Sequence, residues 1–145
     1  MTIIRQTAGV LMLTTLLASN AMAATQSPVA WTKQTLLQTF TLNHESMNAQ
    51  LKQAESNYTP SAWSDLLSFF GDNPSTIRNY KLNLHPKVTG PGQIISSGDL
   101  DGVTYWKIVQ PLSIPELNMN VSFSVIVIKA GKPPFLIQSV NMTSL

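Results

Sequence analysis

The stretch from Asn118 to Lys129, NMNVSFSVIVIK, decides the fold. Its apolar residues alternate with small polar ones, and a period of two is typical of a β-strand. The apolar residues of one face are Met119, Val121, Phe123, Val125 and Val127. Towards the end of the stretch the other face also becomes apolar, through Ile126 and Ile128. We therefore expect a central strand that is covered on both faces at this end.

Further strands are predicted on both sides of this one. Gln93 to Leu100 and Val103 to Ser113 flank Asp101-Gly102, a dipeptide preferred in two-residue hairpin turns. Phe135 to Met142 predicts the last strand. The alternation from Leu82 to Val88 predicts an earlier strand, whose internal proline is typical of a sheet edge.

The first half of the chain has helical periodicity instead. Trp31 to Tyr58 carries one apolar stripe on a largely polar helix, which can break between Thr39 and Asn43. Thr59-Pro60 predicts the cap and first residue of a second helix that ends at Gly71. Asn73 predicts the cap of a short third one. Helices followed by four or five antiparallel strands indicate an α+β fold, with N-terminal helices packed on a curved sheet.

The N-terminus has the pattern of a secretory signal. Arg5 supplies a positive charge, Ala8 to Ala18 an apolar stretch, and Ala21-Met22-Ala23 a small-x-small site, which predicts cleavage after Ala23. The apolar run is shorter than the about 20 residues that a membrane-spanning helix needs. An uncleaved anchor in the inner membrane is the alternative interpretation.

The rest of the chain is expected to be one exported domain. We expect residues 1–23 to be the signal peptide, 24–30 a tether and 31–145 a single domain, with no membrane span after cleavage. The chain has no cysteine, which excludes disulfides, thiol nucleophiles and thiolate metal sites. Its basic residues are scattered and its net charge is +2, so nucleic-acid binding is not expected.

Residues that suggest catalysis or metal binding have simpler explanations. His44 starts a zinc-protease-like pattern, but Asn48 occupies the position of the second histidine. His85 has no acidic partner nearby in sequence and is interpreted as a surface or hydrogen-bonded strand residue. Asp99 and Asp101 resemble a fragment of a calcium loop, but the hairpin turn accounts for them. We therefore predict no catalytic, cofactor or metal site.

Three aromatic residues are candidates for the core or for a partner interface. Tyr105 and Trp106 are adjacent in a predicted strand, so one enters the core and the other lies on the far face. The outward one could anchor a partner protein, because aromatic residues dominate binding hot spots. Trp63 begins a strip at helical spacing and is the third candidate.

An ordered set of segments between Leu36 and Lys129 points to a family. The segments are Thr39-Phe40, Tyr58-Thr59, Trp63 to Leu67, Asn73 to Leu82, Gly98 to Gly102, Tyr105 to Lys107, Gln110 to Leu112 and Val121 to Ile128. In this order and spacing they resemble the IcmL-like (DotI, TraM) family of type IVB secretion and conjugation systems.

The resemblance implies an inner-membrane component whose periplasmic domain has the VirB-type scaffold fold, a cystatin-like cone. It implies a non-enzymatic periplasmic module of a Dot/Icm-type system, without a cofactor, that self-associates and binds other secretion-system proteins. Family members carry a cytoplasmic tail and a membrane helix, whereas a cleavable signal would make this chain a soluble relative.

Two other functions remain open at this point. The first is a small-ligand-binding domain, or a weak enzyme, with a pocket between the helices and the curved sheet. Trp63, Phe70 and Phe123 would remove that option if they filled the space. The second is a secreted, host-directed protein, which the sequence does not distinguish from a periplasmic one.

Overall fold

The computed structural model describes residues 26–130 and 134–145. The predicted signal peptide, its cleavage site at Ala23 and the start of the tether lie outside the described residues. The helices are α1 (Pro28–Phe40), α2 (Met47–Glu55), α3 (Pro60–Phe70) and α4 (Asn73–Asn79). The strands are β1 (Lys87–Val88), β2 (Gln93–Leu100), β3 (Val103–Ile114), β4 (Met119–Lys129) and β5 (Phe135–Ser144). A short 3₁₀ turn, Pro115–Leu117, connects β3 and β4.

Helix α1 begins earlier than expected. The Ser27 hydroxyl accepts a hydrogen bond from the Ala30 N–H at 3.1 Å, and Pro28 occupies the first helical position. Both features favour a helix start, because they satisfy or remove N–H groups that lack a partner in the first turn. The tether predicted over 24–30 is therefore wrong at its end, since residues 28–30 form the first turn of α1.

The predicted break after Thr39 is present. Helix α1 ends at Phe40, and α2 begins at Met47. Between them, the Leu42 carbonyl accepts a hydrogen bond from the Leu84 N–H at 2.8 Å. The chain leaves the helix because this segment pairs with the segment that follows α4.

Helix α3 has the predicted ends. The Thr59 hydroxyl accepts from the Ala62 N–H at 3.2 Å, and Gly71 ends the helix with a φ of 55°. The prediction for α4 was less accurate, because Asp72 and not Asn73 occupies the cap position. The Asn73 amide instead lies 3.7 Å from the Met119 sulfur.

The strand predicted from Leu82 to Val88 is largely wrong. Only Lys87–Val88 forms a strand, and Asn83 makes an isolated bridge to Asn43. Leu84 is buried in the core at 1% exposure. The alternation here reflects packing beneath the helices and not a regular sheet edge.

The five strands form one antiparallel sheet. The order is β1-β3-β4-β5, and β2 also pairs with β3. Strand β1 pairs with β3 at Leu112 and Ser113, whereas β2 pairs with it between Val103 and Val109. Since β4 occupies the other edge of β3, β1 and β2 lie in line along the same edge. The predicted hairpin is confirmed, with positive φ at both Asp101 and Gly102.

The helices and one face of the sheet enclose the core. All four helices contribute buried residues, which pack against the inner face of β3, β4 and β5. The buried residues of β4 are Val121, Phe123, Val125 and Val127. This confirms the predicted α+β architecture and the central position of β4. The prediction that β4 is covered on both faces at its end is wrong. Ile126 and Ile128 on the outer face stay half-buried, and no described helix packs on that face.

Candidate protein-interaction surface

The three candidate aromatic residues have different positions. Trp63 is buried in the core, with its ring centroid 5.2 Å from that of Tyr58. Trp106 faces the helices at the rim of the core, where its ring meets Phe135 edge-on at 5.6 Å. Tyr105 therefore lies on the opposite, outer face of the sheet. Of the three candidates, Tyr105 is the one on the face that the described helices leave uncovered.

The space between the helices and the sheet is filled by aromatic rings. The Phe40 ring lies 5.7 Å from that of Phe70 and 5.3 Å from that of Phe123, measured between centroids. Phe123 is fully buried, and Phe70 and Trp63 are nearly so. A ligand pocket at this position, the alternative raised by the sequence, would need these side chains to move.

An apolar groove of about 550 Å³ lies on the outer face of the sheet. We call it the sheet groove. Its lining residues are Asp99, Leu100, Asp101, Val103, Tyr105, Ile126, Ile128 and Gln138. Strand pairing builds it, because Tyr105 lies opposite Ile128 and Leu100 lies opposite Val103. Side chains of neighbouring strands on one face are in contact range, so these residues form one continuous surface.

The sheet groove occupies only one end of the outer face. At the other end, β4 presents small polar residues, Ser122 and Ser124, on the same side. The apolar residues are strongly exposed, with Leu100 at 68% and Val103 at 41%. Contiguous exposed apolar surface of this kind marks interaction sites more often than scattered single residues do.

The polar groups of the sheet groove are one carboxylate, one amide and one phenol, from Asp101, Gln138 and Tyr105. Asp101 lies in the hairpin turn, whereas the Asp99 carboxylate turns to the other face, where it accepts a hydrogen bond from the Thr104 hydroxyl at 2.7 Å. The lining contains no lysine or arginine. The groove therefore offers apolar contact, one phenol, one amide and a single carboxylate at its end.

His85 has an acidic partner that sequence reasoning missed. Its imidazole Nδ1 lies 2.9 Å from Glu116 Oε2, and its backbone N–H donates to Glu116 Oε1 at 2.9 Å. Desolvation opposes ionisation of the Glu116 carboxyl, but the hydrogen bonds from His85 outweigh it and hold the pKa of Glu116 below its ordinary value. The two residues are 31 apart in sequence, and they connect the segment before β1 to the 3₁₀ turn.

His44 is placed in a comparable but weaker arrangement. Its Nδ1 lies 3.1 Å from Asn83 Oδ1, and its Nε2 lies 3.7 Å from the Glu45 carboxylate. Among residues 26–130 and 134–145, no group of three or more histidine, aspartate or glutamate side chains could hold a metal ion. No helix in these same ranges is long and apolar enough to cross a membrane.

Solved structures share this fold. The periplasmic domain of DotI matches with a TM-score of 0.72 at 16% identity, covering 85% of this chain and 99% of that one. A periplasmic fragment of TraM matches with a TM-score of 0.70 at 18% identity, covering 88% and 98%. An IcmL-like type IV secretion system protein from Legionella pneumophila matches with a TM-score of 0.64 at 16% identity, covering 81% and 90%. The chain thus has the α+β fold of these periplasmic domains.

The family follows from the sequence itself. Residues 3–126 match the model of the type-IV b secretion system DotI/IcmL family, described as an inner-membrane complex component. The chain belongs to this family, as the ordered segments predicted. No curated protein matches the sequence closely enough to count as a relative.

Proposed function

We propose that this protein acts in the periplasm as a non-enzymatic assembly component of a type IVB secretion apparatus. In this role it binds other secretion-system proteins through the sheet groove. The observation that carries the proposal is the groove itself: a continuous apolar surface on a sheet face that none of the described helices covers.

The chemistry of the sheet groove suits protein binding. Leu100, Val103 and the two isoleucines offer apolar area, and each Å² removed from water contributes about 25 cal/mol. Tyr105 adds a large, rigid side chain with a polar end, a type enriched in binding hot spots. The Asp101 carboxylate at the end of the groove favours a partner that carries a basic residue beside an apolar centre.

The family supports the same role. Its description is a component of an inner-membrane complex, and the matching DotI and TraM structures are of periplasmic parts. A non-enzymatic role is supported by the titratable groups, since each described histidine meets one carboxylate and both pairs lie outside the sheet groove. The His85–Glu116 pair joins two segments, and His44 and Glu45 are adjacent in sequence, so neither pair forms an acid–base group directed at the sheet groove.

Partner capture from cells that carry the secretion system tests the proposal. The bait is the protein with Leu100→Glu and Tyr105→Ala, compared with wild type. The matched control carries Leu67→Glu and Tyr80→Ala, the same two changes at exposed residues of the helical layer. We expect the groove variant to recover about tenfold less secretion-system protein and the control to equal wild type.

Two results would contradict the proposed function. One is equal recovery by wild type and the groove variant. The other is wild-type capture that contains no secretion-system protein. Thermal unfolding of each bait checks that the variants are folded.

The compartment and the processing need a separate test. We propose that the signal is removed after Ala23, so that the periplasmic form begins at Ala24. Cell fractionation followed by N-terminal sequencing measures this directly. An intact N-terminus in the inner membrane would instead assign an anchored form, and recovery mainly from the medium would assign a secreted one.

A further inference from the structure

One polar side chain of the core has an atom without a hydrogen-bond partner. Gln110 is fully buried on the helix-facing side of β3, between the buried Ile108 and Leu112. Its amide nitrogen Nε2 donates to the carbonyl oxygens of Gly90 and Pro111, each at 3.0 Å. Its amide oxygen Oε1 accepts no hydrogen bond from the described residues. Because the two bonds of the nitrogen fix the orientation of the amide, the unpaired atom is an acceptor.

This unpaired acceptor is unfavourable in the free protein. A buried carbonyl oxygen without a hydrogen bond destabilises the fold, and native proteins contain few such groups. A ligand that donates an N–H to Gln110 Oε1 would remove this penalty on binding. A ligand without a donor, such as a bare carboxylate or a phosphate dianion, would not.

Gln110 forms the floor of a groove of about 500 Å³ on the helix-facing side of the sheet. We call it the α1 groove. Its walls are the first turns of α1, Val88 of β1 and the Gly-Pro-Gly loop of residues 90–92. Val88 and Pro91 are exposed, so the groove opens to solvent on this side. It shares no lining residue with the sheet groove.

Gly92 packs directly against the unpaired oxygen. A Cβ added to Gly92 would lie 2.7 Å from Gln110 Oε1 and 2.9 Å from Val29 Cγ1, so the close approach of this loop requires glycine. Less than 1 Å² of the oxygen is accessible to solvent. A ligand therefore reaches the oxygen only when the loop of residues 90–92 shifts outward.

The electrostatic surroundings of the α1 groove are positive. Lys33 lines the groove, is exposed and forms no ion pair within residues 26–130 and 134–145. The N-terminal end of α1 carries the positive end of the helix dipole, and its first turn contains no acidic residue. The lining contains no aspartate or glutamate. The groove therefore favours a ligand with a negative charge.

The C-terminal end of a peptide meets both requirements. Its last amide N–H is a donor, and its terminal carboxylate is an anion attached to the same residue. Capture of a terminal carboxylate is a recurring mode of peptide recognition. Val29, Ala30 and Val88 offer apolar contact to a small side chain. Since the family is described as a component of a complex, other protein chains are the source of such an end.

We propose that the α1 groove binds the C-terminal end of another protein. The terminal carboxylate pairs with Lys33 beside the N-terminal end of α1. The last amide N–H donates to Gln110 Oε1 once the loop of residues 90–92 has shifted. The inference goes beyond the proposed function, because it assigns a second binding site on the opposite side of the sheet from the sheet groove.

An NMR titration of the isotope-labelled protein tests the site. The probe is acetyl-trialanine with a free carboxylate, and the control is the same peptide with an amidated C-terminus. The free acid is expected to bind with a dissociation constant of about 1 mM or below. It should shift the signals of the Gln110 side-chain amide and of the Gly90 and Gly92 backbone amides. The amidated peptide should bind about tenfold more weakly, because it lacks the charge.

Three results of this titration would overturn the proposal. The first is equal binding of the two peptides. The second is the absence of any shift at about 10 mM free acid. The third is a set of shifts confined to residues outside the α1 groove.

A charge reversal tests the carboxylate contact. Lys33→Glu should weaken binding of the free acid by about tenfold, because it replaces an attractive charge by a repulsive one. Lys52→Glu makes the same change at an exposed lysine of α2 and should leave binding unchanged. Equal losses in the two variants, or no loss in Lys33→Glu, would overturn the assignment of the carboxylate to Lys33.

Gln110→Met tests the amide contact, since methionine has a similar length and no acceptor oxygen. The variant should weaken binding of both peptides by about tenfold, and undiminished binding by the folded variant would overturn this contact. Thermal unfolding shows whether the variant is folded, because Gly90 and Pro111 lose their donor. If it does not fold, the wild-type titration decides, since an unshifted Gln110 side-chain amide at saturation would exclude the contact. Partner capture by the sheet groove uses different residues, so its outcome is independent of these results.

Discussion

Neighbouring residues of β4 differ sharply in their surroundings. Val125 and Val127 point towards the helices and are fully buried, whereas Ile126 and Ile128 point to the outer face and are half-buried. The same short sequence thus supplies the core on one side and the floor of the sheet groove on the other. Among the described residues, only the inner face has helices packed on it.

The comparison teaches that apolar character alone does not assign a strand face to the core. The inner residues stabilise the fold, because they are removed from water and tightly packed. The outer residues keep part of their apolar area exposed, and removing this area from water can stabilise a complex with a partner. Mutations that are chemically identical on the two faces should therefore have different effects.

The largest difference is expected from one substitution made on both faces. Val125→Ala should lower the free energy of unfolding by about 2–3 kcal/mol, since it removes two fully buried methyl groups and leaves a cavity. Val103→Ala, in the sheet groove and 41% exposed, should lower it by less than about 1 kcal/mol. Urea unfolding of both variants measures the difference, and equal losses would show that the outer face is as tightly packed as the inner one.

A buried hydrogen bond offers the next test of the inner side. The Thr39 hydroxyl donates to the Thr35 carbonyl at 2.7 Å, so the Tyr58 hydroxyl must be the donor in the 2.8 Å bond to Thr39. Thr39→Val leaves this buried donor without a partner and should cost about 1–3 kcal/mol. Tyr58→Phe removes the donor itself and should cost less, about 1 kcal/mol. A larger loss for Tyr58→Phe than for Thr39→Val in urea unfolding would contradict the assignment of Tyr58 as the hydrogen-bond donor.

The same tyrosine predicts a loss of stability in alkali. Burial raises the pKa of Tyr58, and the hydrogen bond to Thr39 opposes this only in part. Because the pKa is raised in the folded protein, the protonated Tyr58 hydroxyl stabilises the fold at pH values below the ordinary tyrosine pKa of about 10. This stabilisation is lost as the pH rises above that value. Tyr58→Phe should reduce this loss, as unfolding followed between pH 8 and 11 would show.

Local chemistry explains what could be predicted from the sequence. The turn at Asp101-Gly102 and the start of α3 at Thr59-Pro60 depend on conformations that neighbouring residues impose, and both predictions were confirmed. The alternation in β4 also gave the correct strand. The α+β architecture followed from the order of these elements along the chain.

Long-range placement explains what could not be predicted. Tyr105 and Trp106 have equivalent patterns, and only the packing of Trp106 against Phe135 shows which one faces inward. The apolar second face of β4 resembled a covered one, because sequence does not show where the helices lie. The partner of His85 was missed since Glu116 is 31 residues away and no local pattern links them. The sequence signal for the sheet groove is the pair of apolar residues that flank the hairpin turn, Leu100 and Val103.

The smallest effect on stability is expected for the His85–Glu116 pair. Its pH dependence compares a partly exposed ion pair with the buried residues of the core. The pKa of Glu116 is lowered in the folded protein, so its contribution to stability is present above the ordinary value of 4.5 and is lost as the pH falls through the lower folded value. Because the His85 side chain is 71% exposed and that of Glu116 is 25% exposed, solvent screens the pair, and Glu116→Gln should lower the free energy of unfolding at pH 7 by less than about 1 kcal/mol.

The difference between wild type and Glu116→Gln should then shrink below pH 4.5, where protonation removes the carboxylate from the wild type as well. Glu45→Gln is the matched control, because Glu45 is 81% exposed and lies 3.7 Å from the His44 ring. Its effect should be smaller at every pH, since a single exposed contact at that distance contributes little. A Glu116→Gln effect that stayed constant from pH 7 to 3 would mean that packing of the side chain, and not its charge, connects the 3₁₀ turn to the segment before β1.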